Sequence, residues 1–483
     1  MYVGLDLGTS GLRALLVDDA GTPHASANAA IDTAHPHPGW SEQDPDDWIR
    51  AARAALAELR RTDPVRFGAV RGIGLSGHMH GATLIDVRGA ALRACMMWND
   101  TRSHAEAARL DAIPAFRTQT GNIVFPGFTA PKVAWVERHE PEVFARIDRI
   151  LLPKDYLRLW LTGLAVSDVS DSAGTAWLDV GARVWSSALL EACNLRLGQM
   201  PELAEGTDAT GVVRPALAAE LGLPAGVVVA GGGGDHAAAA CGAGALNDGD
   251  GFVSLGTSGV LLAARSGFAP RPETAVHTFC HAVPARWYQM GVILAATDSL
   301  NWLARLTGQR PEALVAELGD TPGRPGTARF LPYLSGERTP HNDSAIRASL
   351  TGLDIAMERT DLTRAVLEGV SFALRDSAEA LRATGARLDR VLAIGGGTRS
   401  RYWTRLLATV LDLPLDLPAQ GEFGAALGAA RLAICAVTGA SPETVMTRPA
   451  VAETILPDAA LAEAYGAAHA AYAASYIPMK ALP

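Results

Sequence analysis

The opening of this chain recurs inside it. Residues 3–16, VGLDLGTSGLRALL, return 248 positions later as residues 251–264, GFVSLGTSGVLLAA. Each copy reads as an apolar strand, an LGTSG turn and a second apolar strand, which is a β-hairpin. A repeat at this distance constrains the chain to two related units, each opening on the same hairpin. The chain of 483 residues is too long for one core, and length alone suggests about two to four domains. The polar, turn-rich LNDGDG (246–251) lies just before the second copy. The expected domains are therefore 1–245 and 246–483.

Around the hairpins, strand and helix patterns alternate. PDDWIRAARAALAELRRT (45–62) opens with Pro and two Asp and is apolar at helical spacing, which predicts an amphipathic helix. VRGIGLSG (70–77) and VVVA (227–230) read as buried strands, and ATLIDVRG (82–89) as a strand running into a turn. Segments 287–295 and 390–394 read as strands as well. Helices are expected over 131–146, 154–162, 236–245, 297–307, 360–384, 402–411 and 422–437. This alternation gives the α/β class.

Composition excludes several partners. The formal net charge is −9 and no long Lys/Arg block is present, which argues against nucleic acid and against an anionic membrane. A phosphate ligand must then be held by backbone amides, a metal or a few local cations. The five cysteines form no CxxC or metal-ligand spacing, which suits a reducing compartment. MYVGLDLGTS lacks a basic leader segment, and Asp6 interrupts its apolar run. The small-apolar stretches near 225–245 and 423–438 carry Asp235 and Arg431 and make poor membrane spans. A cytoplasmic enzyme or binding protein is expected.

The glycine-bearing turns carry the chemistry. A tight turn with successive free N–H groups forms an anion-binding concavity, and Thr and Ser hydroxyls add donors. Two such turns heading two repeated halves can grip a polyphosphate between them. Asp6 precedes the first turn where Ser254 precedes the second, so Asp6 is a candidate to hold Mg2+, directly or through water. Arg13, just beyond the first turn, can reach a phosphate oxygen. IGGGTRS (394–400) sits between a strand and a helix, a place suited to a nucleotide. Its spacing is not GxGxxG, so close backbone approach to an adenosine is the better reading. GHMHG (77–81) presents His78, Met79 and His80 in a loop. No complementary ligand cluster accompanies them, so hydrogen bonding to a polar ligand is expected rather than metal binding. WNDTR (98–102) and SGERTPH (335–341) either line a cleft or brace the interdomain hinge. AGGGGDHA (230–237) puts a carboxylate directly after four glycines, which read as clearance for close-lying ligands.

Together, DLGTSG, GHMHG, WNDTR, AGGGGDHA, SLGTSG, SGERTPH and IGGGTRS resemble the FGGY carbohydrate kinases, most closely their xylulokinase branch. GFTAPKVAWVERH (127–139) and ASLTGLDIAMERTDLTRAVLE (348–368) fit the same pattern, and the likeness runs from Met1 to about residue 440. The resemblance implies two ribonuclease-H-like domains of the actin-like ATPase type, with an interdomain catalytic cleft. It places the sugar mainly on the first domain and ATP mainly on the second. It makes Asp235 the general base and Asp6 the metal-associated carboxylate. Met79 and His80 become the pair that contacts the sugar, with His78, Trp98 and His236 beside them. Gly8, Thr9, Ser10, Gly256 and Thr257 match the phosphate-binding turns, with Arg13 nearby. Gly396, Gly397 and Ser400 lie in the adenosine motif. The implied cofactors are ATP and Mg2+, and the implied reaction is transfer to O5 of D-xylulose, giving D-xylulose 5-phosphate and ADP. A homodimer stays open as the assembly.

Two positions depart from that pattern. Glutamine is expected where His78 stands, and asparagine where His236 stands. Histidine is bulkier and titrates near pH 6.5, so a kinase for another pentulose or a pentitol is the alternative. A nucleotide-switched binding protein on the same core would leave GHMHG and Asp235 unexplained. Asp235 is also expected near a helix N-terminus, which lowers its basicity.

Overall fold

The structure is a computed structural model that describes residues 1–419 and 424–481. The first sheet contains β1 (Tyr2–Gly8), β2 (Gly11–Val17), β3 (Pro23–Ala30), β4 (Gly72–Gly77) and β5 (Val228–Ala230), in the order β3-β2-β1-β4-β5, with Ala209–Val212 antiparallel beyond β5 and Gly233–Gly234 pairing with the end of β4. The hairpins β1–β2 and β2–β3 are antiparallel, whereas β4 runs parallel to both β1 and β5. The second sheet contains β6 (Gly251–Leu255), β7 (Gly259–Arg265), β8 (His277–Cys280), β9 (Trp287–Ile293), β10 (Val391–Ile394) and β11 (Leu415–Pro418). Its order is β8-β9-β7-β6-β10-β11, with Val451–Ile455 antiparallel beyond β11. Dropping β8 leaves the arrangement of the first sheet, with the same parallel and antiparallel pairs. The sequence repeat is thus a repeat of topology.

The two LGTSG turns differ in width. Gly8 pairs with Gly11, so Thr9 and Ser10 alone close the first hairpin. Leu255 pairs with Gly259, so Gly256, Thr257 and Ser258 close the second.

Helix α1 (Pro45–Thr62) forms as the spacing predicts. Asp44 caps it, proline occupies its first turn, and Trp48, Ala52, Ala55, Leu56 and Leu59 lie on its buried face. The helix expected over 131–146 is divided into Thr129–His139 and Pro141–Phe144. Pro141 lacks an N–H and pushes Glu140 out of the helical region, so the chain must restart. The strand expected over 82–89 is confined to Thr83–Ile85 before Asp86 folds the chain back, accepting from the amides of Arg88 and Ala90. Helix α2 (Pro153–Thr162) leads to the back of the first sheet. Helix α3 (Asp235–Ala243) follows the glycine run, and α4 (Arg401–Leu411) follows the second glycine loop.

Helix α5 (Ala425–Thr438) comes from the second half of the chain and packs on the first half. The first two residues of its expected span, Glu422 and Phe423, lie outside the described residues. Its Ala426, Leu427, Ala430, Ala433 and Ile434 form a core with Tyr2, Leu15, Val17 and Ala230. The approach is backbone to backbone. A Cβ on Gly4 would lie 1.8 Å from the Ala426 carbonyl oxygen, and one on Gly74 would lie 1.7 Å from that of Ala429. On the helix itself, a Cβ on Gly428 would lie 1.7 Å from the Ala238 oxygen of α3. Alanine is ordinarily the better helix former by about 1 kcal/mol. Gly428→Ala is nevertheless expected to lower stability by roughly 3 kcal/mol or more, because rigid backbone must move. The helix glycine Gly466 has open space around it, and Gly466→Ala should stabilise by up to about 1 kcal/mol. Denaturant unfolding of the two variants side by side checks the contrast in sign.

Candidate active site

The site gathers at the C-terminal ends of the parallel strands. β1 carries Asp6, in register with Ser76 of β4 and Arg13 of β2. The Ser76 hydroxyl donates to Asp6 Oδ1 at 3.0 Å. Burial pushes the Asp6 carboxyl up to about 6, and the charge of Asp235 pushes the same way, against the Ser76 hydrogen bond and Arg13. Asp6 and Asp235 therefore sense each other as like charges. Two carboxylates with this mutual repulsion suit a bound cation, which would relieve it.

Asp235 opens α3, and its side chain is 37% exposed. Desolvation raises its pKa, but His236 outweighs that and the net direction is down. The His236 backbone N–H donates to Asp235 Oδ1 at 2.8 Å, and the ring Nδ1 lies 2.9 Å from the same oxygen. His236 moves the other way: burial lowers its pKa, and Asp235 more than restores it. The two side chains are hydrogen-bonded to each other at the head of a helix.

The four glycines have a different use from the clearance expected of them. Each Cβ position is filled by protein. One on Gly231 would meet the Glu205 oxygen at 2.0 Å, and one on Gly232, at φ 76°, would meet the Leu75 oxygen at 2.2 Å. On Gly233 it would reach the Ala282 Cβ at 3.0 Å, and on Gly234 the Met79 side chain at 2.9 Å. The run is flush packing of backbone between β4, the 205–208 loop and Met79.

In the GHMHG loop, His80 adopts φ 72°, a left-handed conformation unusual outside glycine. Its carbonyl accepts from Lys132 Nζ at 2.9 Å and from the Thr129 hydroxyl at 3.2 Å. Its ring stacks on Phe128 at 4.7 Å, and its Nδ1 lies 2.7 Å from the Gly174 oxygen. Burial lowers the His80 pKa to about 3, so the ring is neutral. A carbonyl accepts only, so Nδ1 carries the proton and Nε2 keeps its lone pair. Met79 is buried, with its sulfur 3.8 Å from the Tyr288 hydroxyl. His78 is only 2% exposed, edge-on to Trp48, and neither ring nitrogen has a hydrogen-bond partner. Burial holds it neutral, down to about 4. Its place is behind the loop.

Trp98 is 37% exposed and donates from Nε1 to the Thr9 hydroxyl at 3.0 Å. Gln43 donates to the Thr9 carbonyl at 2.6 Å, and Ile31 to that of Ser10. The first turn is thus pinned from three sides. In the second turn, the Gly256 oxygen accepts from the Thr297 amide and hydroxyl, and the Thr257 oxygen accepts from the Ala296 amide. A Cβ on Gly397 would meet that of Leu255 at 2.8 Å, so the second glycine loop is seated on the second hairpin. Gly396 faces open space. Ser400 caps α4 by accepting from the Trp403 amide at 3.0 Å. Gly396, Gly397 and Ser400 line a groove of about 560 Å³ with Leu300, Val315 and Trp403, a size suited to a nucleoside.

Several lining groups had no assigned role in the sequence. Gly174 fixes His80 through a carbonyl, which no side-chain pattern reveals. Asn301 and Thr297 enter the groove from the helix expected over 297–307, to which the sequence assigns no site role. Arg338, within SGERTPH, brings a cation of the second half to this region: its guanidinium lies 5.1 Å from the Phe125 ring centre and 3.5 Å from His277 Nε2.

Residues 1–242 match the model of the N-terminal domain of the FGGY family of carbohydrate kinases, and residues 251–437 match that of its C-terminal domain. The chain is 45% identical to a xylulose kinase of Escherichia coli (strain K12) over 96% of both chains. A crystal structure described as a xyloylose kinase from Brucella ovis is 57% identical, with a TM-score of 0.98 and complete coverage of both chains. A xylulose kinase structure from Rhodospirillum rubrum is 33% identical, with a TM-score of 0.91 over 99% of this chain and 98% of that one.

The raised Asp6 carboxyl has a consequence for stability. Folded Asp6 holds its proton more tightly, at about 6, than an unperturbed aspartate at 3.8. Its favourable contribution is therefore complete below the lower value and is lost as pH rises through the higher one. At neutral pH the ionised group costs on the order of 3 kcal/mol. Asp6→Asn should raise the melting temperature at about pH 8 and lose that advantage at about pH 4. Equal melting at both pH values would contradict the strained carboxylate.

Proposed function

The chain belongs to the FGGY family of carbohydrate kinases, and from that premise we propose that it transfers the γ-phosphoryl group of ATP to O5 of D-xylulose. The products are D-xylulose 5-phosphate and ADP. The observation that carries this reading is the pair of opposed carboxylates, Asp6 raised and Asp235 lowered, at the strand ends beside His80. Two environments that drive like groups apart allow two roles in one site.

Asp235 accepts the proton of the sugar hydroxyl while O5 bonds to the γ-phosphorus and the bond to the β-phosphate oxygen breaks. Its lowered pKa makes it a weak base, which suits a loose transition state where the proton leaves late. His236 keeps that carboxylate ionised and fixes its orientation through Nδ1. His80 Nε2 accepts from a second sugar hydroxyl, and Met79 packs against the carbon chain. Thr9, Ser10, Gly256 and Thr257 hold the phosphates. The adenosine takes the groove at Gly396 and Gly397. Asp6 would hold Mg2+, directly or through water, and the ion when bound would supply charge neutralisation at the phosphates. Trp98 steadies the first turn through Thr9. Phosphoryl transfer asks mainly for this positioning and charge neutralisation. The reaction belongs in the cytoplasm: all five cysteines are free and buried, and no helix among the described residues is long and apolar enough to cross a membrane.

His236 is where another sugar would be selected. Its Nδ1 is engaged by Asp235, which leaves Nε2 to meet a ligand. His78 backs onto Trp48 behind the loop. An ADP-release assay over ketoses, aldoses and polyols should give D-xylulose the highest kcat/KM. A pentitol or another pentulose ahead of it would transfer the assignment to that sugar. No sugar-stimulated turnover would remove the kinase reading. Asp235→Asn should lower kcat by roughly 100–10,000-fold while sugar and ATP still bind, as loss of a general base does. Near-normal turnover would remove Asp235 from that role.

A further inference from the structure

A base must be held to within a fraction of an ångström, yet Asp235 hangs from a segment with no side chains of its own. What holds that segment lies behind it. Helix α2 carries Lys154 and Arg158, four residues apart and on one face. Both are fully buried. The Arg158 guanidinium donates to the carbonyls of Ala230, at 2.8 Å, and Gly231, and to the Thr210 hydroxyl. Lys154 Nζ lies 2.5 Å from Asp155, 2.6 Å from Asp168 and 3.2 Å from Asp171, all fully buried. Asp168 in turn accepts from the amide and hydroxyl of Ser170. The Ser170 hydroxyl, one bond further, sits 3.1 Å from the amide nitrogen of Gly234, the residue immediately before Asp235.

The direction of that last bond follows from the chemistry. The Ser170 hydroxyl donates its proton to the Asp168 carboxylate, so its lone pairs face the Gly234 N–H. The glycine run is therefore gripped at two places. Arg158 holds the carbonyls at its entry, and Ser170 holds the amide at its exit. The Lys154 cluster fixes Asp168 and with it Ser170. Gly233 and Gly234 pair with Ser76 and Gly77 of β4 on the other side.

We propose that Arg158 and Ser170 are positioning residues for Asp235, acting through the backbone of residues 230–234. This rests on Asp235 being the general base. Neither side chain faces the cleft, so neither contributes to ligand affinity. Their effect is confined to the placement of the carboxylate, where an error near 1 Å can cost about 100-fold.

The test is a double-mutant cycle on purified full-length protein, read by single-turnover transfer from labelled ATP. Ser170→Ala should lower kcat by roughly 10–100-fold and leave KM for D-xylulose and ATP within about twofold. In an Asp235→Asn background, Ser170→Ala should change the rate by less than about twofold, because the group it places is gone. Arg158→Lys keeps the charge but loses the two-pronged donation, and should show the same split and the same silence. It carries the test alone if Ser170→Ala does not fold. Equal losses in both backgrounds, or a rise in KM matching the fall in kcat, would mean general structural damage and overturn the inference. Near-normal turnover of Asp235→Asn by itself would remove the base, and the inference with it.

Discussion

Everything in this molecule depends on two backbones touching with nothing between them. Helix α5 lies against β1, β4 and α3 because Gly4, Gly74 and Gly428 have no Cβ at the contact points. The contact ties the second half of the chain to the sheet of the first. It also settles where α3 lies. The buried Arg431 of α5 donates to the carbonyls of Cys241 and Gly242 at the end of α3, and to that of Thr447. A cation at a helix C-terminus satisfies orphan carbonyls and complements the dipole. The helix that presents Asp235 is thus fixed at its far end by Arg431 and at its near end by the glycine run.

The electrostatics of the site follow from that placement. β1 and α3 bring two carboxylates within reach of each other, and their surroundings then separate them. Asp6 has one hydroxyl donor and the repulsion of its neighbour. Asp235 has a helix N-terminus, an amide and an imidazole. The first is costly to ionise and the second is easy to ionise. A strained carboxylate suits a site that welcomes a cation. A relaxed one suits a base that must be ionised before it accepts a proton.

The hairpin repeat made the architecture legible, because a topology duplicated in space left the same residues at both strand starts. Asp6, Thr9 and Gly256 stand out as candidates for the same reason, and Gly396 because its glycine loop follows a strand. Local patterns served α1 well and failed at Glu140–Pro141, where one proline outranked a continuing apolar stripe. The four glycines read as clearance for a ligand, whereas in the fold they are packing surfaces. Sequence shows that side chains are missing there, and only structure shows that protein fills the space. His78 and His236 looked alike in the sequence as substitutions beside the sugar. In the fold one backs onto Trp48 and the other bonds the proposed base. Lys154, Arg158 and Ser170 left no motif, since a buried network is assembled from distant segments.

The glycine run separates two properties that an enzyme usually mixes. Residues 230–234 are buried, so the exposed wall around Asp235 is set by other segments. The run is supported mainly from behind, and of the residues proposed to meet the sugar Met79 packs on it at Gly234. On the proposed reading, the wall around His80 can be retuned for a new sugar while Asp235 keeps its mounting, whereas a change at His236 touches both, because its ring bonds Asp235. Drift in the buried network behind the run would, on the same reading, act on the placement of Asp235.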